Sequence, residues 1–78
     1  MKAYFYASYL NSSHKVDAAS IIKAKSLAQI KRASMHLFEN YAKFDSYKEA
    51  FDYLVLNCGA LGYSLPYEDV RYADVTDF

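Results

Sequence analysis

The chain has 78 residues, nine Tyr and five Phe among them, two Gly, one Pro and a formal net charge of zero. That length limits it to one domain with a small core, and a composition so rich in aromatics and poor in Gly and Pro excludes a disordered chain. Cys58 is the sole cysteine, which excludes an internal disulfide and fits a reducing cytosol.

The N-terminal stretch turns polar after Ser8, too early for a secretory apolar segment. No apolar run approaches the roughly 20 residues of a membrane-spanning helix. A single-domain cytoplasmic protein is therefore expected. Its charge is unevenly distributed: residues 1–43 carry +5 and residues 44–78 carry −5. Either the two halves attract one another in the fold, or they present opposite faces to charged partners.

In chain order, residues 3–10 read as an aromatic strand that ends at the turn-prone Asn11-Ser12-Ser13. A long loop over residues 11–19 leads to a second strand over residues 20–25, paired antiparallel with the first. Ser26 opens a helix through a capping box with Gln29. Leu27, Ile30, Ser34, Leu37, Phe38 and Tyr41 fall on one stripe at helical spacing, and Gln29, Arg32, His36, Glu39 and Lys43 on the opposite side. Ser46 opens a second helix with Glu49. Tyr47, Ala50, Phe51, Leu54 and Cys58 form its apolar stripe, Glu49, Asp52, Tyr53 and Leu56 its outer face, and Gly59 or Gly62 its end. In the tail, Val70-Arg71-Tyr72 reads as a third strand, with a short helix opened by Pro66, Glu68 and Asp69 as the alternative. The expected fold is thus α+β, in the order β-β-α-α-(β): a small antiparallel sheet of two or three strands with two amphipathic helices on one face.

Catalytic signals are weak. Cys58 on an apolar stripe is a core thiol rather than a nucleophile. His14, His36 and Cys58 lack metal-ligand spacing, and two glycines cannot build a phosphate loop. No enzyme activity, metal or other cofactor is expected.

The first strand says more. Alternation places Ala3, Phe5, Ala7 and Tyr9 on one face and Tyr4, Tyr6, Ser8 and Leu10 on the other. The small Ala3 and Ala7 mark the first face as core, joined by Ile22 and Ala24. Tyr4, Tyr6, Ile21, Lys23 and Lys25 are left outside. Tyr and Lys together suit a protein interface or base stacking beside phosphates. Lys31, Arg32, His36 and Lys43 extend the basic character along the first helix. The tail acids Glu68, Asp69, Asp74 and Asp77 admit a DNA-mimic reading. Tyr4, Tyr6 and Leu56 admit self-association as a homodimer.

The segment Ile22-Lys23-Ala24-Lys25-Ser26-Leu27-Ala28-Gln29-Ile30-Lys31-Arg32 resembles one family of small phage-encoded type I-F anti-CRISPR proteins. The shared pattern is I-x-A-x-S-L-x-Q-x-K-R, behind a first strand that opens Met-Lys-Ala. The likeness covers roughly the first 34 residues. Beyond them this chain has a second amphipathic helix and an acidic, Tyr-rich tail where that family has mostly strands. The resemblance implies a non-enzymatic inhibitor that docks on an RNA-guided CRISPR-Cas surveillance complex and blocks target-DNA access. Lys31 and Arg32 would then contact protein or nucleic acid along the guide channel. The expected contact set is Tyr4, Tyr6, Lys23, Lys25, Lys31, Arg32 and His36. A nucleic-acid-binding accessory protein using the Tyr/Lys sheet face is the alternative.

Overall fold

The computed structural model describes residues 2–12, 15–60 and 70–78. The elements are β1 (Tyr4–Ser12), β2 (Lys15–Ala24), α1 (Leu27–Arg32), β3 (Asn40–Phe44), α2 (Tyr47–Ala60) and β4 (Val70–Asp74). They build an α+β fold around a four-stranded sheet of order β3-β1-β2-β4. β1 runs antiparallel to β2 and to β3, whereas β4 is parallel to β2. The sheet is therefore mixed, with one strand more than the sequence suggests.

β1 and β2 form a close hairpin instead of flanking a long loop. Pairing runs from Tyr4↔Ala24 to Ser12↔Lys15, with one register shift between Leu10 and Asn11. The expected loop residues 15–19 belong to β2. Their small, polar character hid a strand, because their ladder partners come from β1 and local propensity is easily overridden in a sheet.

Strand parity divides the core in two. On one face Ala7, Tyr9, Ala19 and Ile21 are buried against Ala50 and Leu54 of α2, with Phe5, Phe44, Phe51 and Tyr53 around them. On the other face Tyr6, Ile22 and Ala24 are buried with Ile30 of α1 and Val75. The two helices thus cover opposite faces, not one. Ile22 and Ala24 lie across the sheet from Ala7, and Ile21 is buried rather than exposed. Ile21, Ile22 and Leu54 are all fully buried, each worth about 1.5–3 kcal/mol of burial. Between them on the α1 face, the hydroxyls of Ser8 and Ser20 meet at 2.8 Å across β1 and β2.

The first helix begins as expected. The Gln29 amide donates to Ser26 Oγ at 3.2 Å. Gln29 Oε1 reaches back to the main-chain N–H of Lys25, at 2.7 Å, one residue before the cap. The helix then stops at Arg32 rather than running on to Tyr41. Ser34 has φ of 61°, and the N–H groups of Ser34 and Met35 donate to the carbonyls of Lys31 and Ile30. This is a Schellman close with Ser at the left-handed position, its hydrophobic contact made by Ile30 and Met35. Residues 40–44 become an edge strand. Asn40, Ala42 and Phe44 lie opposite Tyr9, Ala7 and Phe5, while Tyr41 and Lys43 face the α1 side.

α2 is capped by Ser46, whose Oγ accepts from the Glu49 amide at 3.2 Å. Ala50 and Leu54 are its fully buried positions, and Tyr53, expected outside, packs in tilted ring contacts against Tyr9 and Phe44. At about 1.5 Å per residue the 14-residue helix extends about 21 Å. Three strand spacings of about 4.8 Å separate one sheet edge from the other. α2 is therefore long enough to carry the chain from β3 towards the opposite edge.

The tail strand is present as β4, in register from Ala19↔Val70 to Lys23↔Asp74. Pro66, Glu68, Asp69, Gly62 and His14 lie outside the described residues, as does the Cys58 side chain. Beyond β4, the Gln29 side-chain amide donates to the carbonyls of Thr76 and Phe78 at 3.1 and 3.0 Å. The Asp74 carboxylate closes the last turn, accepting from the Thr76 hydroxyl at 2.6 Å and its amide at 3.0 Å. These bonds, from the hydroxyl first, hold the Asp74 pKa below the usual carboxylate value.

Ser34→Gly should stabilise the fold by about 0.5–1 kcal/mol: it relieves a left-handed penalty of roughly 1–2 kcal/mol, partly offset by added freedom in the unfolded chain. A thermal melt that is unchanged or lower would contradict the cap. Gln29→Leu should cost about 1.5–3 kcal/mol, because partly buried carbonyls lose their donor, read as a lower denaturation midpoint. Asp74 stabilisation is whole above the unfolded-chain pKa and lost as pH falls through the lower folded value. An NMR titration should accordingly find Asp74 below the ordinary Asp range, and Thr76→Val should move it back up.

Candidate functional site

The residues proposed for contact from the sequence divide between the two faces of the sheet. Tyr4 stays accessible in part, at the start of β1 on the α1 face. Its ring is approached by Lys43 Nζ at 4.4 Å and by Lys2 Nζ at 5.4 Å. Tyr6, two residues on, is only 5 % exposed, so the expectation that it is an outer-face contact is corrected. α1 folds back over this face and covers it. Burial, with Tyr4 and Tyr41 nearby, raises the pKa of the Tyr6 hydroxyl.

Lys23 points to the α2 face, with its ammonium 5.6 Å from the Phe5 ring centre. It does not join Tyr4. Lys25 is half-buried at the junction of β2 and α1. Lys31, Arg32 and His36 are exposed. Arg32 turns to the tail, with Nη2 3.4 Å from the Phe78 carbonyl, while Lys31 lies on the flank of α1 that faces β3.

On that flank a groove of about 290 Å3 runs between α1 and the sheet edge, lined by Leu27, Ile30, Lys31, His36, Leu37 and Tyr41 among others. Leu27 and Tyr41 are 48 % and 51 % exposed, large apolar groups left at the surface. Leu27 and Lys31 stand one helical turn apart, the spacing at which side chains share a face. Lys43 shares the exposed parity of Tyr41 on β3 and stands over the Tyr4 ring, on the same face of the sheet as the groove. Lys2 is further held by Asp45 at 2.8 Å, a contact between the basic and acidic halves of the chain. Glu39 is an exposed acid next to the β3 end of this surface.

The site thus gathers Tyr4, Lys31 and His36 of the expected contacts and leaves out Tyr6, Lys23 and Lys25, with Arg32 exposed next to Lys31 on the tail side of α1. It adds Leu27, Tyr41, Lys43 and Lys2. A strand reading of residues 40–44 would have found Tyr41 and Lys43, since their alternation is present in the sequence. Leu27 was assigned to a buried stripe of a helix longer than the one that forms.

Leu56, 71 % exposed, projects from α2 on the other side of the sheet from Tyr4. With Tyr6 buried, one self-association surface cannot hold all three residues. Of the tail acids, Asp74 is engaged by Thr76, and Glu68 and Asp69 lie outside the described residues. Among the described residues no three His, Cys, Asp or Glu side chains are grouped to hold a metal ion, and no helix is long and apolar enough to cross a membrane. No family model, curated protein or solved structure matches the chain.

Proposed function

We propose that this chain is a non-enzymatic inhibitor of a bacterial CRISPR-Cas effector complex, acting in the host cytoplasm by binding the complex and blocking nucleic-acid access. The observation that carries the reading is the pairing of Leu27 with Lys31 on the open groove. Both belong to the pattern shared with type I-F anti-CRISPR proteins, and neither is used by the fold. Of the other shared positions, Ile22 and Ala24 are buried, Ser26 caps α1, Gln29 joins α1 to the tail, and Arg32 is exposed beside Lys31 with Nη2 near the Phe78 carbonyl. An exposed aliphatic and aromatic centre with a basic rim is the composition of a binding surface, in which a few apolar anchors contribute most of the affinity and charges steer the encounter.

In this reading Leu27 and Tyr41 are the anchors. Lys31, Lys43 and Arg32 meet acidic side chains or guide phosphates along the channel of the complex. His36 and Tyr4 complete the rim.

A second reading, direct binding of single-stranded nucleic acid, draws on Tyr4 with its two flanking ammonium groups, since an aromatic ring beside cations suits a stacked base and its phosphate. The two readings differ in salt dependence. Phosphate contacts made by the free chain would weaken steeply as ionic strength rises.

The test is a target-DNA binding assay with purified type I-F surveillance complex. Wild type should abolish DNA binding near one equivalent. Lys31→Glu with Arg32→Glu should need about tenfold more protein or greater, while stability stays within about 1 kcal/mol, as usual for exposed positions. Equal inhibition by the double variant would remove the basic face from the site. A wild-type chain that leaves DNA binding untouched would sink the inhibitor reading for that complex. A salt-sensitive shift of free oligonucleotide would then favour the second.

A further inference from the structure

We infer that a second cavity, on the α1 face but at the β4 side of the sheet, binds a small organic anion with a flat apolar body. The cavity measures about 680 Å3, within the range of about 300–1,000 Å3 common to small-molecule sites. Its floor is made by Ile22 of β2 and Ala73 of β4, which are register partners across the parallel pair. Met35 and Phe38 line it from the connection between α1 and β3.

The depth of the cavity has a plain cause. Ser20 and Ala73 are small where a sheet under a covering segment would ordinarily carry larger side chains. Ser20 is moreover held to Ser8 at 2.8 Å, so its hydroxyl does not fill the space. The left-handed turn at Ser34 directs the 35–38 stretch over the sheet instead of prolonging α1. A strained, non-glycine backbone position thus forms part of the wall.

The ligand class follows from the lining. Arg71, His36 and the Tyr72 phenol are its charged and titratable groups among the described residues, all three exposed, and no Asp or Glu accompanies them there. Arg71 lies opposite Ser20 in the ladder, on the parity that faces the cavity. A guanidinium presents a planar pair of N–H donors that matches a carboxylate or a phosphate, and the His36 ring adds a second donor. Met35 and Phe38 suit an aromatic body, through sulfur–ring and ring–ring contact. An anionic head at Arg71 and a flat ring over Ile22 and Ala73 satisfy both parts at once. This site shares Met35 and His36 with the Leu27–Tyr41 groove and is otherwise lined by different residues, and it does not depend on the inhibitor reading.

The inference is tested by titrating the 15N-labelled chain with phenyl phosphate, benzoate, inorganic phosphate and phenol. Phenyl phosphate and benzoate should give saturable amide shifts confined to residues 20–22, 34–38 and 71–73, and the tighter of the two identifies the preferred head group. Inorganic phosphate and phenol, each carrying half of the recognition, should bind at least about tenfold more weakly. Arg71→Gln should raise the Kd of the better anion by about tenfold or more. Ala73→Leu, which fills the floor, should abolish binding while the remaining amide spectrum is preserved. The assignment is overturned if neither aromatic anion saturates, if Arg71→Gln binds as tightly as wild type, or if the shifts map to residues 27–31 and 41 instead.

Discussion

The buried side-chain amide of Gln29 ties together three parts of the chain, the end of β2, α1 and the tail. Its oxygen accepts from the Lys25 main chain at the end of β2, its own main-chain N–H is held by the Ser26 cap, and its NH2 group donates to two carbonyls of the tail. A helix of six residues is too short to be stable alone. α1 persists because these bonds fix its start and because Ile30 is buried with Tyr6, Ile22, Ala24 and Val75. An amide with its donors and acceptor satisfied can be buried at little net cost, whereas an unsatisfied one would be expensive.

From that joint the rest of the surface follows. With α1 and the tail fixed on one face of the sheet, α2 takes the other, and the middle of β1 and β2, Tyr6–Tyr9 and Ala19–Ile22, is buried. What remains open are the margins of α1. On the β3 margin lies the Leu27–Lys31–Tyr41 groove; on the β4 margin lies the cavity above Ile22 and Ala73. A longer first helix would have spread over both. The left-handed Ser34 therefore shapes both of these open margins.

Much of this was readable from local chemistry. Ser26 with Gln29 and Ser46 with Glu49 announced both helix starts, because capping is decided within four residues. β1 and its α2-facing side, Ala7 and Tyr9, followed from period-two alternation, as did β4 from its apolar centre. The end of α1 was not readable: Leu37, Phe38 and Tyr41 satisfy helical spacing, yet Leu37 packs from a non-helical connection and Tyr41 sits on a strand. The choice between those states lies in contacts with β1, far away in sequence. The same non-locality hid the burial of Tyr6, which needed the knowledge that α1 returns under the sheet. Of the candidate site, the polar members Lys31 and His36 are legible as surface positions, whereas helical spacing places Leu27 and Tyr41 on an apolar stripe.

The parallel union of β2 and β4 also shapes how the chain finds its fold. The β1–β2 hairpin closes within neighbouring residues, and β3 joins β1 after a modest loop. β4 pairs with β2 only after most of the chain has been laid down, and the Gln29 bond to Thr76 spans 47 positions. Closing so long a loop costs entropy before any contact rewards it, and such contacts tend to set the folding rate. α1, β4 and the tail are thus coupled through Gln29 by long-range contacts, whereas the β1–β2 hairpin rests on contacts closer in sequence. Local opening of α1 and the tail would bare Tyr6 and Ile22 and remove the groove and the cavity together, while the packing of α2 on the other face remained intact.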